Sequence, residues 1–461
     1  MARLTWRVKL IAEADQGVVS ETEVARIERD DLAVPETLGL TLQESKQMTA
    51  TMQSQMVRTQ VATMGDRFRW CEHCGTKLLS KGYYATTFRS LFGDVAVKVR
   101  RLTACHCRAG LSEPRSFAAL PAVGVIAPEL AYVTARFAAL APFARVADLL
   151  SELLPTGGAT NAGTVRNRTL RVGRTIAQLR PAGAPNLDPD ATTPAVIVGF
   201  DGGYVRSRHR RPERNFEVIA GKVIGDDGIQ HRFAFARNGG SSRPFAHALV
   251  RAGVRSGTPA TVLSDGDTGL RNLQRRVLPG ATAVLDWFHI AMRFEHALQT
   301  ATGLGTGTVN AHLGLIAHRD IESAKWRLWH GRWKSCLIKL AEVCRWTEAK
   351  SFREIDGIRT LRRHVRDLLV YLEANRCGLV NYGSRYRHGE PISTAFVESA
   401  INEIVARRMI KKQQMRWNRW TVQPFLDVRV AVLNGTLEAS FRNCYPRFRP
   451  ANDMVLIANT A

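Results

Sequence analysis

The 461-residue chain is notable first for what it lacks. No run approaches the ~18 apolar residues of a membrane span. The opening MARLTWRVKLIAEADQ has no apolar core and no small-residue cleavage site of the signal-peptide kind. The expectation is therefore a cytoplasmic protein with no membrane partner, where thiols stay reduced and disulfides are rare. There is no GxSxG elbow and no GxxxxGK loop followed by Ser or Thr, which disfavours serine hydrolases and P-loop ATPases. Internal repeats and low-complexity tracts are also missing. Acidic residues are scarce, with 41 Asp+Glu against 65 Lys+Arg and a net charge of +24. Lys and Arg release condensed counterions when they neutralise phosphates, so this surplus favours nucleic acid over an anionic membrane or a merely solvated basic surface. With 45% hydrophobic residues and length for two to four domains, the chain is globular with a sizeable core.

Eight cysteines in a reducing compartment need a role other than disulfides. Four form one constellation: Cys71 and Cys74 in CEHC, Cys105 and Cys107 in CHC. Between them YYATTF and VAVKVRRL read as strands joined at Gly93-Asp94, and a hairpin brings its two ends together. Four thiolates suit one tetrahedral Zn²⁺, and a full protein ligand set leaves no open position, so the site is structural. The CxC knuckle is tight, which leaves His73 or His106 as a substitute for one thiolate. Lys98, Arg100 and Arg101 are available for phosphate. Cys336, Cys344, Cys377 and Cys444 read as ordinary buried thiols.

Residues 1–65 read as helical, most clearly in GLTLQESKQMTATMQSQMVRTQVATM, and 66–110 as the zinc ribbon. Residues 111–180 form a helical DNA-binding region. There FARVADLLSELL and a second helix starting near Asn161 or Thr164 flank Pro155-Thr156-Gly157-Gly158. The second helix carries Arg166, Arg168, Arg171 and Arg174, which fits helix-turn-helix geometry with a turn longer than usual. Residues 181–195, PAGAPNLDPDATTPA, form a turn-rich linker.

Beyond the linker the pattern is that of an α/β domain. AVIVGFDGG is a strand, FEVIAGKVI and HRFAFAR form a hairpin at Asp226-Asp227-Gly228, SRPFAHALVRAGV is a helix, and TVLSD, RNLQRRVL and TAVLD continue as strand, helix and strand. Asp201, Asp265 and Asp286 each end an apolar strand. Groups at the carboxyl ends of strands face one crevice, and clustered carboxylates attract Mg²⁺ or Mn²⁺. Two such ions can drive in-line displacement at a phosphodiester. Asp267 reads as a helix cap instead. A further acid comes from ISTAFVESAINEIVARRMIKK, where Glu398 borders the apolar side and Glu403 lies farther round, solvated. Arg407, Arg408, Lys411 and Lys412 add positive charge at that helix end. Arg206, Arg208, Arg210 and Arg211 follow the first acid-bearing strand and read as DNA-backbone contacts. Trp326, Trp329 and Trp333 form a helical stripe that reads as core.

The motifs GLTLQESK, CEHCG…FG…CHC, DGGYVR, SDGDTGL, DWFHI and VES, in this order from about residue 39 to 420, resemble insertion-sequence transposases of the DDE type. The resemblance is to the ISKra-like group, related to ISL-type and Mutator-like transposases. It implies an RNase H-like core whose first part is 196–295, an all-helical insertion over 296–390, and core completion with a C-terminal region over 391–461. It implies Asp201, Asp265 and Glu398 as the catalytic, magnesium-binding carboxylates, with Asp286 and His289 as a supporting D-x-x-H element. MRWNRW differs from the Gly-containing stretch such proteins carry there. The implied activity is cleavage of element ends and transfer of the 3′-hydroxyl strand to target DNA, by a homodimer or higher oligomer associated with the nucleoid. A non-catalytic DNA-binding regulator and a structure-specific nuclease on the same core are the alternatives.

Overall fold

The computed structural model describes residues 4–15, 17–29, 34–65, 69–103, 105–108, 116–118, 126–156, 160–179, 195–208, 214–238, 240–255, 257–304, 308–349, 352, 355–394, 399–410 and 415–449. It divides into two compact units, Met1–Leu179 with Gly435–Ala461, and Arg180–Asn434. The linker expected over 181–195 lies outside the described residues except for Ala195.

The first unit opens with an antiparallel hairpin, β1 (Leu4–Ala14) and β2 (Gly17–Arg29), where a helix was expected. Trp6, Val8, Leu10 and Ala12 alternate with Arg7, Lys9 and Glu13, a period of two that suits a strand and not a helix. Helix α1 (Leu42–Gly65) follows the expectation. Its start is a capping box: Thr41 N–H donates to Glu44 Oε2 at 3.0 Å and Glu44 N–H to Thr41 Oγ1 at 3.2 Å. Arg29 Nη2 reaches Glu44 Oε2 at 2.7 Å, tying the hairpin to the helix. That bond, with those from Thr41, holds the Glu44 carboxyl down at about 2.

Next come β3 (Ser80–Ser90), β4 (Gly93–Thr103) and the short β5 (Ser116–Ala118) in one antiparallel sheet. Along β4, Val95, Val97 and Val99 face inward and pack with Val57 and Val61 of α1. Helices α2 (Pro128–Leu140), α3 (Phe143–Leu153) and α4 (Ala162–Gln178) form a bundle. A terminal helix, Leu437–Cys444, joins it through an edge-to-face contact of Phe441 with Tyr132, centroids 5.3 Å apart. Residues 435–449 thus group with the first unit.

The second unit is a mixed α/β fold around a five-stranded sheet. Strands β6 (Val196–Arg206), β7 (Asn215–Ile224) and β8 (Gln230–Ala236) form an antiparallel meander. Gly228 takes φ +74° in the β7–β8 turn, a conformation that favours glycine. After α5 (Ser242–Arg251) come β9 (Ala260–Ser264), α6 (Thr268–Val277) and β10 (Thr282–Leu285). Both β9 and β10 run parallel to β6, giving the order β10-β9-β6-β7-β8.

Side chains alternate across β6. Val196, Val198 and Phe200 face one way and pack with Phe245 and Leu249 of α5 and Leu270 and Leu273 of α6. Leu263, Val284 and Leu285 belong to a second core with α7 (Trp287–Thr302), α8 (Thr308–Trp329), α9 (Trp333–Trp346), α10 (Ile358–Ala374) and α11 (Tyr382–Arg387). The chain returns to the sheet through α12 (Asn402–Ile410), wound as a π-helix, and α13 (Val422–Leu433). Among the described residues no helix is long and apolar enough to cross a membrane.

Candidate functional site

The cysteine centre is built by the β3–β4 hairpin, whose ends meet where Thr103 N–H donates to Leu79 O at 2.9 Å. Ahead of β3 the chain makes a tight knuckle: Gly75 N–H donates to Cys71 O and Cys71 N–H to Thr76 O, both at 2.8 Å, with Gly75 at φ +70°. Cys71 Sγ lies 3.7 Å from Cys107 Sγ, and Cys74 Sγ 3.3 Å from Cys105 Sγ. All four sulfurs fall within 4.8 Å of one another. A tetrahedron of ~2.3 Å zinc–sulfur bonds puts its sulfurs about 3.8 Å apart, so this cluster can hold a structural metal such as zinc. His73 and His106 are exposed and outside it. The Thr76 hydroxyl and backbone bring Cys74 down to about 6, while the bond from Cys105 and burial push Cys107 up to about 12. Crowded sulfurs ionise at one another's expense unless a cation sits among them.

In the second unit, sheet register aligns the acids. Gly199 pairs with Leu263 across β6–β9, and Leu285 with Ser264 across β10–β9. Asp201 and Asp265 therefore stand two residues past one paired level, and Asp286 and Asp265 one past another. All three residues stand at one level. Asp265 and Asp286 directly follow the carboxyl ends of β9 and β10. Asp201, expected to end its strand, instead lies midway along β6 just past the stretch paired with β9, because pairing with β7 carries β6 on to Arg206. Asp201 is half-buried, and its Oδ1 accepts from Gly202 N–H at 2.6 Å. Burial, reinforced by the charge of Asp265, raises its carboxyl to about 6. Asp265 Oδ1 accepts from Asp267 N–H at 2.9 Å, and its carbonyl accepts from Tyr371 Oη at 2.7 Å. Arg293 lies over the Tyr371 ring, 4.1 Å from its centroid. Asp267 caps α6 through Leu270 N–H, as its position implied.

Asp286 is wholly buried and caps α7 through Phe288 N–H at 2.8 Å. Thr394 donates to it from both its N–H and its hydroxyl, and His289 Nδ1 sits 2.6 Å from its Oδ2. Burial pushes the Asp286 carboxyl upward, but the bonds to His289 and Thr394 outweigh it and the net direction is down. The same bond raises His289, helped by the nearby charges of Asp265 and Asp201. Asp286 is thus committed to holding His289 at the edge of the acid cluster. Tyr371, Arg293 and Thr394 join the site without any signal in the sequence pattern. Thr394 meets Asp286 across 108 residues, and nothing local in ISTAF marks it.

Glu398 lies outside the described residues. The next residue, Ser399, accepts from Lys222 Nζ at 2.7 Å, on a lysine paired with Gly199. A Cβ on Gly203 would stand 3.6 Å from both Ile401 and Val405, so α12 crosses the Asp201 face of β6 at a point where β6 carries no side chain. Glu403, expected in solvent, instead lies 2.8 Å from Arg232 Nε and 3.8 Å from Lys222 Nζ. Two largely buried cations at that helix outweigh its exposure. Among the described residues, the four cysteines are the only group of three or more His, Cys, Asp or Glu ligands gathered within 4.8 Å.

The basic residues separate by burial. On α4, capped by Asn161 accepting from Thr164 N–H at 2.9 Å, Arg171 and Arg174 are exposed and Arg166 half-buried. Arg168, expected on the DNA-facing side, is buried because it falls on the α4 stripe that includes Val165, Leu170 and Val172. Arg206, Arg208 and Arg407 are exposed, while Arg210, Arg211, Lys411 and Lys412 lie outside the described residues. Arg408, also expected at the DNA surface, is wholly buried, stacked 5.5 Å from Trp417 and 5.0 Å from Phe425. Burial pulls its guanidinium down to about 9. The Trp417 backbone anchors MRWNRW to the end of β6, its N–H donating to Arg206 O at 2.9 Å and its carbonyl accepting from Arg208 N–H at 2.8 Å. Trp329 and Trp333 pack against the helical core, but Trp326 is 53% exposed. Cys336 is buried, whereas Cys377 is exposed, contrary to the expectation of a buried thiol.

No family model matches the chain, and no curated protein matches it. Among solved structures it is similar to one described as a Drosophila P element transposase strand transfer complex. Identity is 12% and the TM-score 0.31, with 66% of this chain and 91% of that chain covered. A likeness of that size carries no functional weight.

Proposed function

We propose that the protein is a DDE-type DNA transposase, cutting DNA at element ends and joining the freed 3′-hydroxyl to target DNA. The observation that carries this reading is the single level shared by Asp201 on β6 and by Asp265 and Asp286 directly after the parallel strands β9 and β10. A sheet with antiparallel β6-β7-β8 and parallel β9 and β10 added beside β6 supports an RNase H-like core. The helices from the second half of α7 to α11 then correspond to the insertion over 296–390, and α12 brings the region following Glu398 onto the Asp201 face of β6.

The donor set suits a hard divalent cation. Asp201 and Asp265 are oxygen ligands, and burial together with the charge of Asp265 makes Asp201 costly to ionise until positive charge arrives. In this reading Asp201, Asp265 and Glu398 hold Mg²⁺ or Mn²⁺. The bound ions supply a nucleophile of lowered pKa and stabilise the leaving oxygen. Asp286 keeps His289 oriented through Nδ1, leaving its other ring nitrogen to donate to a phosphate oxygen of the DNA. Arg171 and Arg174, with Arg206, Arg208 and Arg407, contact the backbone by charge.

The test is a duplex carrying inverted repeats that flank the coding region, incubated with the full chain in Mg²⁺. Cleavage and joined product are expected from the wild type, with both lost and DNA binding kept in Asp201→Asn. Cleavage at the wild-type rate by Asp201→Asn rejects the mechanism. Cleavage without joined product reassigns the protein as a nuclease, and binding without either reaction reassigns it as a regulator.

A further inference from the structure

Two glycines and one aspartate in the acid-bearing motifs have no role in the proposed metal chemistry: Gly202 in DGGYVR, and Asp267 and Gly269 in SDGDTGL. Asp267 and Gly269 meet Arg237 directly, and Gly202 meets its partner Glu217. Arg237 Nη1 lies 2.6 Å from Glu217 Oε2 on β7, and its Nη2 lies 3.6 Å from Asp267 Oδ1 at the start of α6. Arg237 N–H also donates to Glu217 O at 2.9 Å, and Arg419 Nη2 donates to Arg237 O at 3.1 Å. A Cβ on Gly202 would overlap Glu217 Oε1, and one on Gly269 would overlap Arg237 Nη2. The two glycines therefore clear the space the pair occupies.

The pair sits on the reverse of the sheet from Asp201. Glu217 is paired with Tyr204, which shares a face with Gly202, and successive residues of a strand alternate faces. From there a short chain of contacts reaches the acids. Asp267 receives the Leu270 N–H with Oδ1, and its own N–H donates to Asp265 Oδ1 at 2.9 Å. On the other arm, Glu217 lies against Gly202, whose N–H donates to Asp201 Oδ1 at 2.6 Å. Arg237 thus touches, through one partner each, the β6 segment that carries Asp201 and the turn that carries Asp265. Its two terminal nitrogens face two carboxylates, so its charge is matched inside the protein and not offered to a phosphate.

We infer that Arg237 is a positioning residue: with Glu217 and Asp267 it clamps the Asp265-Gly266-Asp267 turn against the Asp201-Gly202 segment of β6, and so sets the spacing of the two metal-binding carboxylates. The inference rests on the reading of Asp201 and Asp265 as metal ligands. Partners of ligating groups typically account for 10- to 100-fold in metal affinity, and a guanidinium that bridges two carboxylates has no equivalent in lysine.

Two measurements on the full chain test it. The first, without metal, is hydrogen exchange over residues 264–271, where the Asp267 amide reports the clamp directly. The second is a Mn²⁺ titration, with Asp201→Asn as reference for binding at the acids. Arg237→Gln is expected to speed exchange in that segment at least tenfold and to weaken the Asp201-dependent Mn²⁺ site 10- to 100-fold. Its melting temperature should stay close to the wild type, and Arg237→Lys should recover part of both losses. Glu217→Gln gives the same readout should Arg237→Gln not fold. Unchanged protection overturns the clamp, as does unchanged Mn²⁺ affinity in a variant that has lost protection. Mn²⁺ binding indifferent to Asp201→Asn removes the metal reading of the acids, and the metal-free exchange then still decides the clamp.

Discussion

The cysteine centre of the first unit and the acid cluster of the second are both places where like groups crowd together, but they are assembled by opposite means. The four cysteines span residues 71–107 and are closed by one hairpin, so their proximity is a local property of the chain. Asp201, Asp265 and Asp286 lie on three strands separated by helices and a meander, and only the register of the sheet aligns them. The first centre also gathers four ligands within 4.8 Å, whereas the described acids are spread along the sheet, with Asp286 bonded to His289 and Asp201 on the face of β6 that α12 crosses. A closed set of thiolates suits a structural metal, and in the proposed function the carboxylates are the set that serves chemistry.

This contrast is broken most sharply by removing metal from the first unit. The purified chain is expected to hold about one Zn per molecule, measured by atomic emission, and Cys71→Ser/Cys105→Ser to hold none. Because structural zinc binding of roughly 10 kcal/mol or more is itself folding energy, loss of Zn should expose residues 69–108 to proteolysis while the second unit still melts cooperatively. A full zinc complement in the double variant sinks the assignment.

The next largest effect concerns Asp286. Replacing it by Ala leaves His289, Phe288 N–H and Thr394 without their buried acceptor and should cost about 2–4 kcal/mol in a denaturant titration. The raised His289 makes this pair's contribution fall away as pH rises through the histidine's folded value. The lowered Asp286 makes it fall away as pH drops through the acid's folded value. Stability from the pair is therefore greatest between the two. An Asp286→Ala variant as stable as wild type across that window would contradict the buried network.

Asp201 works in the other direction. Its carboxyl stands at about 6 in the folded chain against ~3.9 unfolded, so protonation favours the fold. Without divalent cations, its contribution is full below about pH 4 and is lost as pH rises through 6. Discounted for partial exposure, the change is on the order of 1–2 kcal/mol. Asp201→Asn should flatten that profile and raise the melting temperature at pH 7 in metal-free buffer. A profile identical to wild type would mean the carboxylate is not strained.

The smallest effect separates surface from interior arginines. Arg171→Ala/Arg174→Ala should lower the salt slope of duplex-DNA binding by roughly 0.9 for each phosphate no longer neutralised, as read by anisotropy. Arg408→Met, deep against Trp417 and Phe425, should leave that slope unchanged. A change for Arg408→Met equal to that of the double variant would place the buried guanidinium at the DNA after all.

Much of this was legible from residue order alone. The strand-sized apolar runs leading into Asp265 and Asp286, the Asp226-Asp227-Gly228 turn and the cysteine spacing each depend on neighbours within a few residues, whereas the continuation of β6 past Asp201 to Arg206 comes from pairing with β7. Where structure and sequence pattern part, a local signal is overridden by a neighbouring or distant one. The period of two along β1 and β2 is masked by the long helix beside it in the chain. Arg168 and Arg408 carry charge but occupy inward positions, and Glu403 found Arg232 across 171 residues.

The sequence by itself determined the thiol quartet, the periodicities of most elements and the basic charge, since these follow from residue type and short spacing. Tertiary structure alone decided that three aspartates stand at one level, that Asp286 serves His289 and Thr394, and that Arg237 bridges Glu217 and Asp267. Sheet register and burial fix those facts, and both arise only when segments distant in the chain pack together.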